Sequence, residues 1–204
     1  MTEEKEDSMQ PVAIFDFDGT ITRKSTTVPF LKFIYGPLFY KKFAANLPSL
    51  LLYYCNLMDI DQLNNLITAS FFKKSTREYL FRSGEKFSEK VIPSLVRNGV
   101  FQRIKWHKEQ GHYCILATSA YNIYIDYWAA AHNFDNCVST KIAFNQHDEA
   151  TGLLDGKSCY GKEKLRRVLE IIGTTPRIIY SYGDSEGDKA ILEQATYPYY
   201  RYFK

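Results

Sequence analysis

The chain is poor in crosslinking and soft-metal chemistry, with 4 cysteines and 4 histidines in 204 residues. Cys55, Cys114, Cys137 and Cys159 are spaced by 59, 23 and 22 residues. No Cys-x-x-Cys pair or zinc-type Cys/His cluster occurs, so they read as reduced thiols of a cytoplasmic protein. His107, His112, His132 and His147 have no metal spacing either. Long apolar runs are absent too: the nearest, Phe43 to Met58, is interrupted by Asn46, Pro48, Ser49 and Asn56, which argues against a membrane-spanning helix. Met1 to Gln10 is acidic and polar, where a signal peptide would be basic and then apolar, and is expected to be a flexible tail. Net charge is small, +3, which gives no ground for a nucleic-acid partner. A further absence is local: no acidic residue lies between Asp18 and Asp59, while Arg23, Lys24, Lys32, Lys41 and Lys42 give this stretch a charge of +5.

Hydrophobic content of 45% and charged content of 24% are those of a folded globular protein. A chain of this length buries about 70% of its unfolded surface without needing a staple. The outlying quantity is aromatic: 16 Tyr, 14 Phe and 2 Trp. Eight of these lie between Phe30 and Tyr54, and five crowd Tyr197 to Phe203.

Apolar runs at Val12–Phe15, Tyr113–Ala117, Cys137–Val138 and Arg177–Tyr182 predict strands, the first two and the last ending at polar residues. Helices are predicted at about 101–110, closed by Gly111, and at 121–132, 162–172 and 189–194. Thr151-Gly152 and Asp155-Gly156 are expected to be turns. The alternation predicts an α/β fold: a Rossmann-like parallel sheet with helices on both faces and ligands at the carboxyl ends of the strands. From Thr26 to about Lys90 the pattern is helical instead, with breaks at Gly36-Pro37, Pro48 and Gly84. It predicts an inserted all-helical cap over 25–90, leaving 11–24 and 91–204 as the core and 1–10 as the tail.

Four places carry candidate chemistry. In Asp16-Phe17-Asp18-Gly19-Thr20, two carboxylates can converge just past a strand, one as nucleophile and one as proton shuttle. Thr118-Ser119, expected at a helix start, offers a hydroxyl and an N–H to a phosphate oxygen. Lys164, with Lys162 nearby, supplies a cation able to neutralise a carboxylate and a phosphoryl oxygen. Gly183-Asp184-Ser185-Glu186-Gly187-Asp188 puts an acid where it can hold a hard cation through oxygen.

Asp16-Phe17-Asp18-Gly19-Thr20, Thr118, Lys164, and Asp184 with Asp188 resemble, in order and strand context, the four motifs of the haloacid dehalogenase superfamily. The nearest branch is that of phosphoserine-phosphatase-like enzymes with a helical cap, and the resemblance runs from about Val12 to Ala195. Lys164 rather than Lys162 matches, because related sequences carry Cys-x-Gly-x-x-Lys, here Cys159 to Lys164. The resemblance implies a phosphatase that hydrolyses a small-molecule phosphomonoester in two steps. Asp16 would form an aspartyl-phosphate, and Asp18 would act as general acid and then base. Thr118, Ser119 and Lys164 would bind the phosphate. Mg²⁺ would be held by Asp16, Asp184 and the backbone carbonyl of Asp18, with Asp188 supporting.

Two departures bear on substrate. Phosphoserine phosphatases place a glutamate after the first motif to hold the substrate ammonium, whereas Thr22-Arg23-Lys24-Ser25-Thr26 contains no acid, and a buried ammonium without a counter-charge is costly. Gly187 stands where those enzymes commonly carry asparagine. The apolar, basic stretch around Phe30–Tyr40 has two readings: a cap packing on itself, or a surface meeting anionic lipid at the inner face of the membrane. On the second, the substrate would be a lipid phosphate, since bacterial phosphatidylglycerophosphate phosphatases of this superfamily look similar here. A non-hydrolytic phospho-acceptor signalling module would use Asp16 and Mg²⁺ without needing Asp18. A halide-releasing relative would lack Asp18.

Overall fold

The computed structural model describes residues 10–173 and 177–204; the tail expected at 1–10 lies outside them except for Gln10. Strand β1, Val12–Phe15, is buried along its whole length. Its alternation divides the core. Val12 and Ile14 face one apolar cluster with Ile115, Val168 and Ile179, while Ala13 and Phe15 face another with Leu116, Ile123 and Trp128. Apolar side chains in both directions are what a strand covered by helices on both faces requires.

The chain leaves β1 through a tight turn, Phe17–Ile21, and enters six helices: α1 (Thr27–Tyr35), α2 (Leu38–Tyr54), α3 (Ile60–Phe71), α4 (Arg77–Lys90), the short α5 (Ile92–Leu95) and α6 (Val100–Glu109). Then follow β2 (Tyr113–Tyr121), α7 (Asn122–Ala131), β3 (Asn136–Thr140), the hairpin β4 (Ile142–Phe144) and β5 (Ala150–Leu154), α8 (Gly161–Ile172), β6 (Ile179–Gly183), α9 (Lys189–Glu193) and β7 (Tyr197–Tyr200). The main sheet has the order β3-β2-β1-β6-β7, with every pairing parallel. The fold is therefore α/β as expected, with β1 central, so its carboxyl end lies between those of β2 and β6. The chain departs and returns side by side: Arg23 N donates to Leu95 O and Arg97 N to Ile21 O, both 2.9 Å.

The helices between β1 and β2 are tied to the rest by polar contacts of α3. Asn64 Nδ2 donates to Ser158 Oγ (2.9 Å), and its Oδ1 accepts from Tyr121 OH (3.0 Å). Asp61 Oδ1 accepts from Ser158 N at 2.7 Å. Their interior is aromatic: Phe30 packs on Phe72, Phe87 and Tyr124 with centroids 4.6–6.2 Å apart.

Several local expectations are corrected. The breaks at Pro48 and Gly84 do not occur, since α2 and α4 run through them. Pro48 removes one backbone hydrogen bond without ending the helix, and Gly84 marks a close approach: a Cβ there would stand 1.8 Å from the Ile123 carbonyl oxygen of α7. Thr118-Ser119 does not start a helix, because β2 continues to Tyr121. Thr151-Gly152 lies inside β5, and the hairpin turns at Asn145–Asp148, where Asp148 N donates to Asn145 O. The aromatic crowd at the C-terminus holds an unforeseen edge strand, β7, whose Pro198 is tolerated at a sheet edge. Within Phe30–Tyr40 the apolar groups divide: Phe30, Leu31 and Phe39 are buried, Ile34 and Tyr35 are half-buried, and Phe33, Leu38 and Tyr40 are exposed.

The α4–α7 contact yields the first prediction. Gly84→Ala drives a methyl group into backbone and costs about 2 kcal/mol or more of unfolding free energy, in the range of overpacked cores; denaturant unfolding measures it.

Candidate active site

Asp16 follows the last residue of β1, and its carboxylate is buried. Lys164, in the first turn of α8, reaches it: Nζ lies 2.9 Å from Asp16 Oδ1 and 2.6 Å from Asp188 Oδ1. Lys164 is 1% exposed and Asp188 fully buried. An ammonium in such a place survives by being paired. Burial alone would lower its pKa, yet the two carboxylates hold it above the ordinary lysine value.

Asp188 is fixed in turn by the loop after β6. Its Oδ2 accepts from the backbone N–H groups of Asp184 (3.0 Å) and Ser185 (3.1 Å) and from Ser185 Oγ (2.9 Å). Burial would raise the Asp188 pKa, but the Lys164 charge and these hydrogen bonds bring it below the usual carboxylate value. Asp16 has less support. Burial pushes its pKa up to about 7, Lys164 pulling it down and the Asp188 and Asp18 charges pushing it further up. Its Oδ2 has no hydrogen-bond partner among the described residues.

The strand does not continue to carry Asp18. The chain turns at Asp18 and Gly19, with Gly19 at φ 86°. A side chain at Gly19 would also place its Cβ 2.6 Å from both Asp184 carboxylate oxygens, so glycine is required twice over. Asp18 Oδ1 accepts from Thr26 N (2.9 Å) and Thr26 Oγ1 (2.7 Å), and Oδ2 from Ser25 Oγ (3.2 Å). Burial raises its pKa to about 6, the Thr26 and Ser25 hydrogen bonds holding it from going higher. The Thr26 hydroxyl stands 3.1 Å from Tyr124 OH, which joins Asp18 to the aromatic cluster around Phe30.

Carboxylate oxygens of Asp16, Asp184 and Asp188 all lie within 4.8 Å of one another. An all-oxygen donor set with an unpartnered buried oxygen suits a hard divalent cation. Lys204 Nζ lies 2.6 Å from Asp184 Oδ2, so that carboxylate already has a cation beside it. Thr118, buried in the carboxyl half of β2, sits two residues past Leu116, the partner of Phe15. Its Oγ1 accepts from Ala120 N at 3.1 Å. Ser119 is half-buried beside it. Lys162 shows no such contact, which leaves Lys164 as the lysine of the cluster. A separate open groove of about 500 Å³ beside β3, lined by Cys137, Glu163, Arg166 and Arg167 among others, contains none of these groups.

The sequence reading did not name Ser25, Thr26 and Tyr124 as supports of Asp18, nor Ser185 as a support of Asp188. A Ser-Thr pair ahead of a helix reads as a cap, and nothing in its spacing points back to Asp18. Tyr160 was also missed: a Cβ on Gly187 would stand 2.5 Å from its ring, so the glycine at that position is what lets the ring lie there.

Residues 13–193 match the family model described as haloacid dehalogenase-like hydrolase. The chain is similar to protein CicA of Caulobacter vibrioides, 28% identical over 190 residues that span 93% of this chain and 85% of that one. Its fold is similar to a protein of unknown function from Bordetella pertussis Tohama I, with TM-score 0.79, 19% identity and coverage of 92% and 88%. It is also similar to a phospho-aspartyl intermediate analogue of phosphoserine phosphatase, with TM-score 0.59, 15% identity and coverage of 92% and 83%.

The Asp16 environment predicts a metal-free stability profile. A carboxyl raised from 3.8 to about 7 favours the fold while protonated, and that contribution fades as pH rises through about 7. Without divalent cation, the Tm of the wild-type protein should fall relative to Asp16→Asn by on the order of a few degrees between pH 5 and pH 8, as thermal melts would register.

Proposed function

The chain belongs to the haloacid dehalogenase-like hydrolases, and from that membership we propose a Mg²⁺-dependent phosphatase that cleaves a small phosphomonoester through an aspartyl-phosphate. The observation that carries this reading is the Lys164 ammonium held between Asp16 and Asp188, with Asp16 Oδ2 left without a hydrogen-bond partner among the described residues. A solitary structural ion pair would not leave a buried carboxylate oxygen unpaired beside two further acids.

On this reading Asp16 attacks phosphorus, and the bond from phosphorus to the substrate oxygen breaks as Asp18 gives its proton to the departing alkoxide. Asp18, now a carboxylate, takes a proton from water. The hydroxide attacks the acyl phosphate, releasing inorganic phosphate and restoring Asp16. A group that gives and then takes a proton works best with a pKa near the operating pH, and burial brings Asp18 up to about 6. Thr26 and Ser25 hold Asp18 for both steps. Thr118 Oγ1 and the Ser119 N–H bind phosphate oxygens at the end of β2, and Lys164 neutralises charge on Asp16 and on the phosphoryl group. Asp16, Asp184 and the Asp18 carbonyl would hold Mg²⁺, which when bound would keep Asp16 ionised and offset phosphate charge.

The substrate is one without an ammonium group near the phosphate. In the segment that would otherwise carry the counter-charge, Thr22 Oγ1 donates to Phe17 O and Lys24 O, and Ser25 and Thr26 are spent on Asp18.

Phosphate release from sugar phosphates, nucleotides, phosphoserine and phosphatidylglycerophosphate, with and without Mg²⁺, tests the proposal. Asp16→Asn should abolish turnover on every substrate, and Asp18→Asn should lower kcat by about 10² or more. Activity surviving in Asp16→Asn would remove the nucleophile. A stoichiometric, long-lived aspartyl-phosphate without turnover would favour a phospho-acceptor module instead.

A further inference from the structure

Helix α2 presents an apolar stripe that no other element among the described residues covers. Tyr40, Ala44, Leu47, Leu51 and Tyr54 recur every three or four residues and so share one side of the helix. Tyr40 is 64% exposed, Leu47 45%, Leu51 65% and Tyr54 78%, and Leu57 just beyond is 74% exposed. The packed side lies about a quarter-turn away, one residue before each stripe position: Phe39 is buried, Phe43 stacks on it, and Asn46 donates to Lys42 O and Ser70 Oγ. A helix that already has a buried face needs no second apolar face for folding, and a contiguous exposed one marks a contact surface.

We propose that this stripe docks on an anionic lipid surface, with α2 lying in the plane of the headgroups. Charge selects the occupant. Lys41 is exposed next to Tyr40 on the same helix, and the Lys32 ammonium stands 5.5 Å from the Tyr40 ring. Arg23 and Lys24 add to a segment with no acid between Asp18 and Asp59. The next acids, Asp59 and Asp61, cap and open α3, beyond the Tyr54 end of the stripe and away from Lys32 and Lys41 in sequence. A second copy of the chain on this stripe would, in a two-fold dimer, bring like cations together around an apolar seam. An anionic headgroup layer instead accepts the lysines while the acyl boundary takes the leucines and tyrosines. None of the described helices is long and apolar enough to cross a membrane, so the contact is peripheral. It does not depend on the hydrolase reading, and it goes beyond the mechanism.

Co-sedimentation of the full chain with vesicles of zwitterionic lipid, alone or mixed with an anionic lipid, tests it. Binding should be at least about tenfold tighter to the anionic vesicles and should weaken as salt is raised. The double variant Leu47→Glu/Leu51→Glu alters exposed positions, so it should fold, keep hydrolysis of a soluble phosphomonoester and lose vesicle binding. Lys32→Glu/Lys41→Glu should abolish the preference for anionic lipid. No association of the wild-type chain, or association unchanged in the leucine variant, overturns the proposal. So does a dimer in light scattering that Leu47→Glu/Leu51→Glu dissociates, which would assign the stripe to a second copy.

Discussion

A lysine ammonium with almost no contact with water must be paired from more than one side, and Lys164 meets that demand with Asp16 and Asp188. The requirement propagates. Asp188 can serve only because two N–H groups and a hydroxyl of the loop after β6 hold its other oxygen. That loop can be so tight only because Gly183 has no side chain: a Cβ there would stand 2.4 Å from the Asp188 Cβ. Asp16 is fixed by the central strand, Lys164 by the first turn of α8, and their meeting sets the spacing of the strand ends around them. With both carboxylates ionised, the three groups together carry a net negative charge.

The aromatic excess has two addresses. One joins the helices between β1 and β2 to α7 and, through Tyr124 and Thr26, to Asp18. The other is a ladder across the sheet, in which Phe15 stacks on Tyr182 at 4.6 Å and Tyr182 on Tyr199 at 4.7 Å. The Arg103 guanidinium lies over the Trp106, Tyr199 and Tyr202 rings at its edge. Aromatic residues therefore fill much of the core on one face of the sheet, the other face being aliphatic, and they also brace the strand end from which the candidate chemistry projects.

The strand ends were legible because each combines a short apolar run with polar residues whose types constrain the chemistry: Asp-x-Asp-Gly-Thr after Val12–Phe15, and Gly-Asp after Ile179–Tyr182. The supports were not, since Thr26 reaches Asp18 only by the chain folding back over eight residues, and Tyr124 meets Thr26 only through packing of segments 98 residues apart in sequence. Gly84 was misread for a related reason. A glycine in a helical pattern carries the same local signal whether it breaks the helix or admits a neighbour. Thr118-Ser119 has good cap chemistry, but pairing of Tyr121 with Thr140 keeps the chain extended past it. In α2 the composition announced an apolar, basic surface without its direction. Helical phase turned Phe30 and Leu31 of α1 and Phe39 of α2 inward, left Phe33 and Leu38 exposed, and set the stripe of α2 from Tyr40 to Tyr54.

The central position of β1 has a consequence for how the molecule is made. Its first partner in synthesis order is β2, with Val12 beside Tyr113, and the Asp16–Lys164 pair spans 148 residues. At about 5–20 residues per second, a ribosome would release the most apolar strand of the sheet roughly 5–20 seconds before anything can pair with it. The acidic Asp16 and Asp18 directly behind that strand then act as charged flanks that disfavour its association with other nascent chains. The same two carboxylates would guard the strand before they could serve the site, which assembles only once α8 and β6 exist.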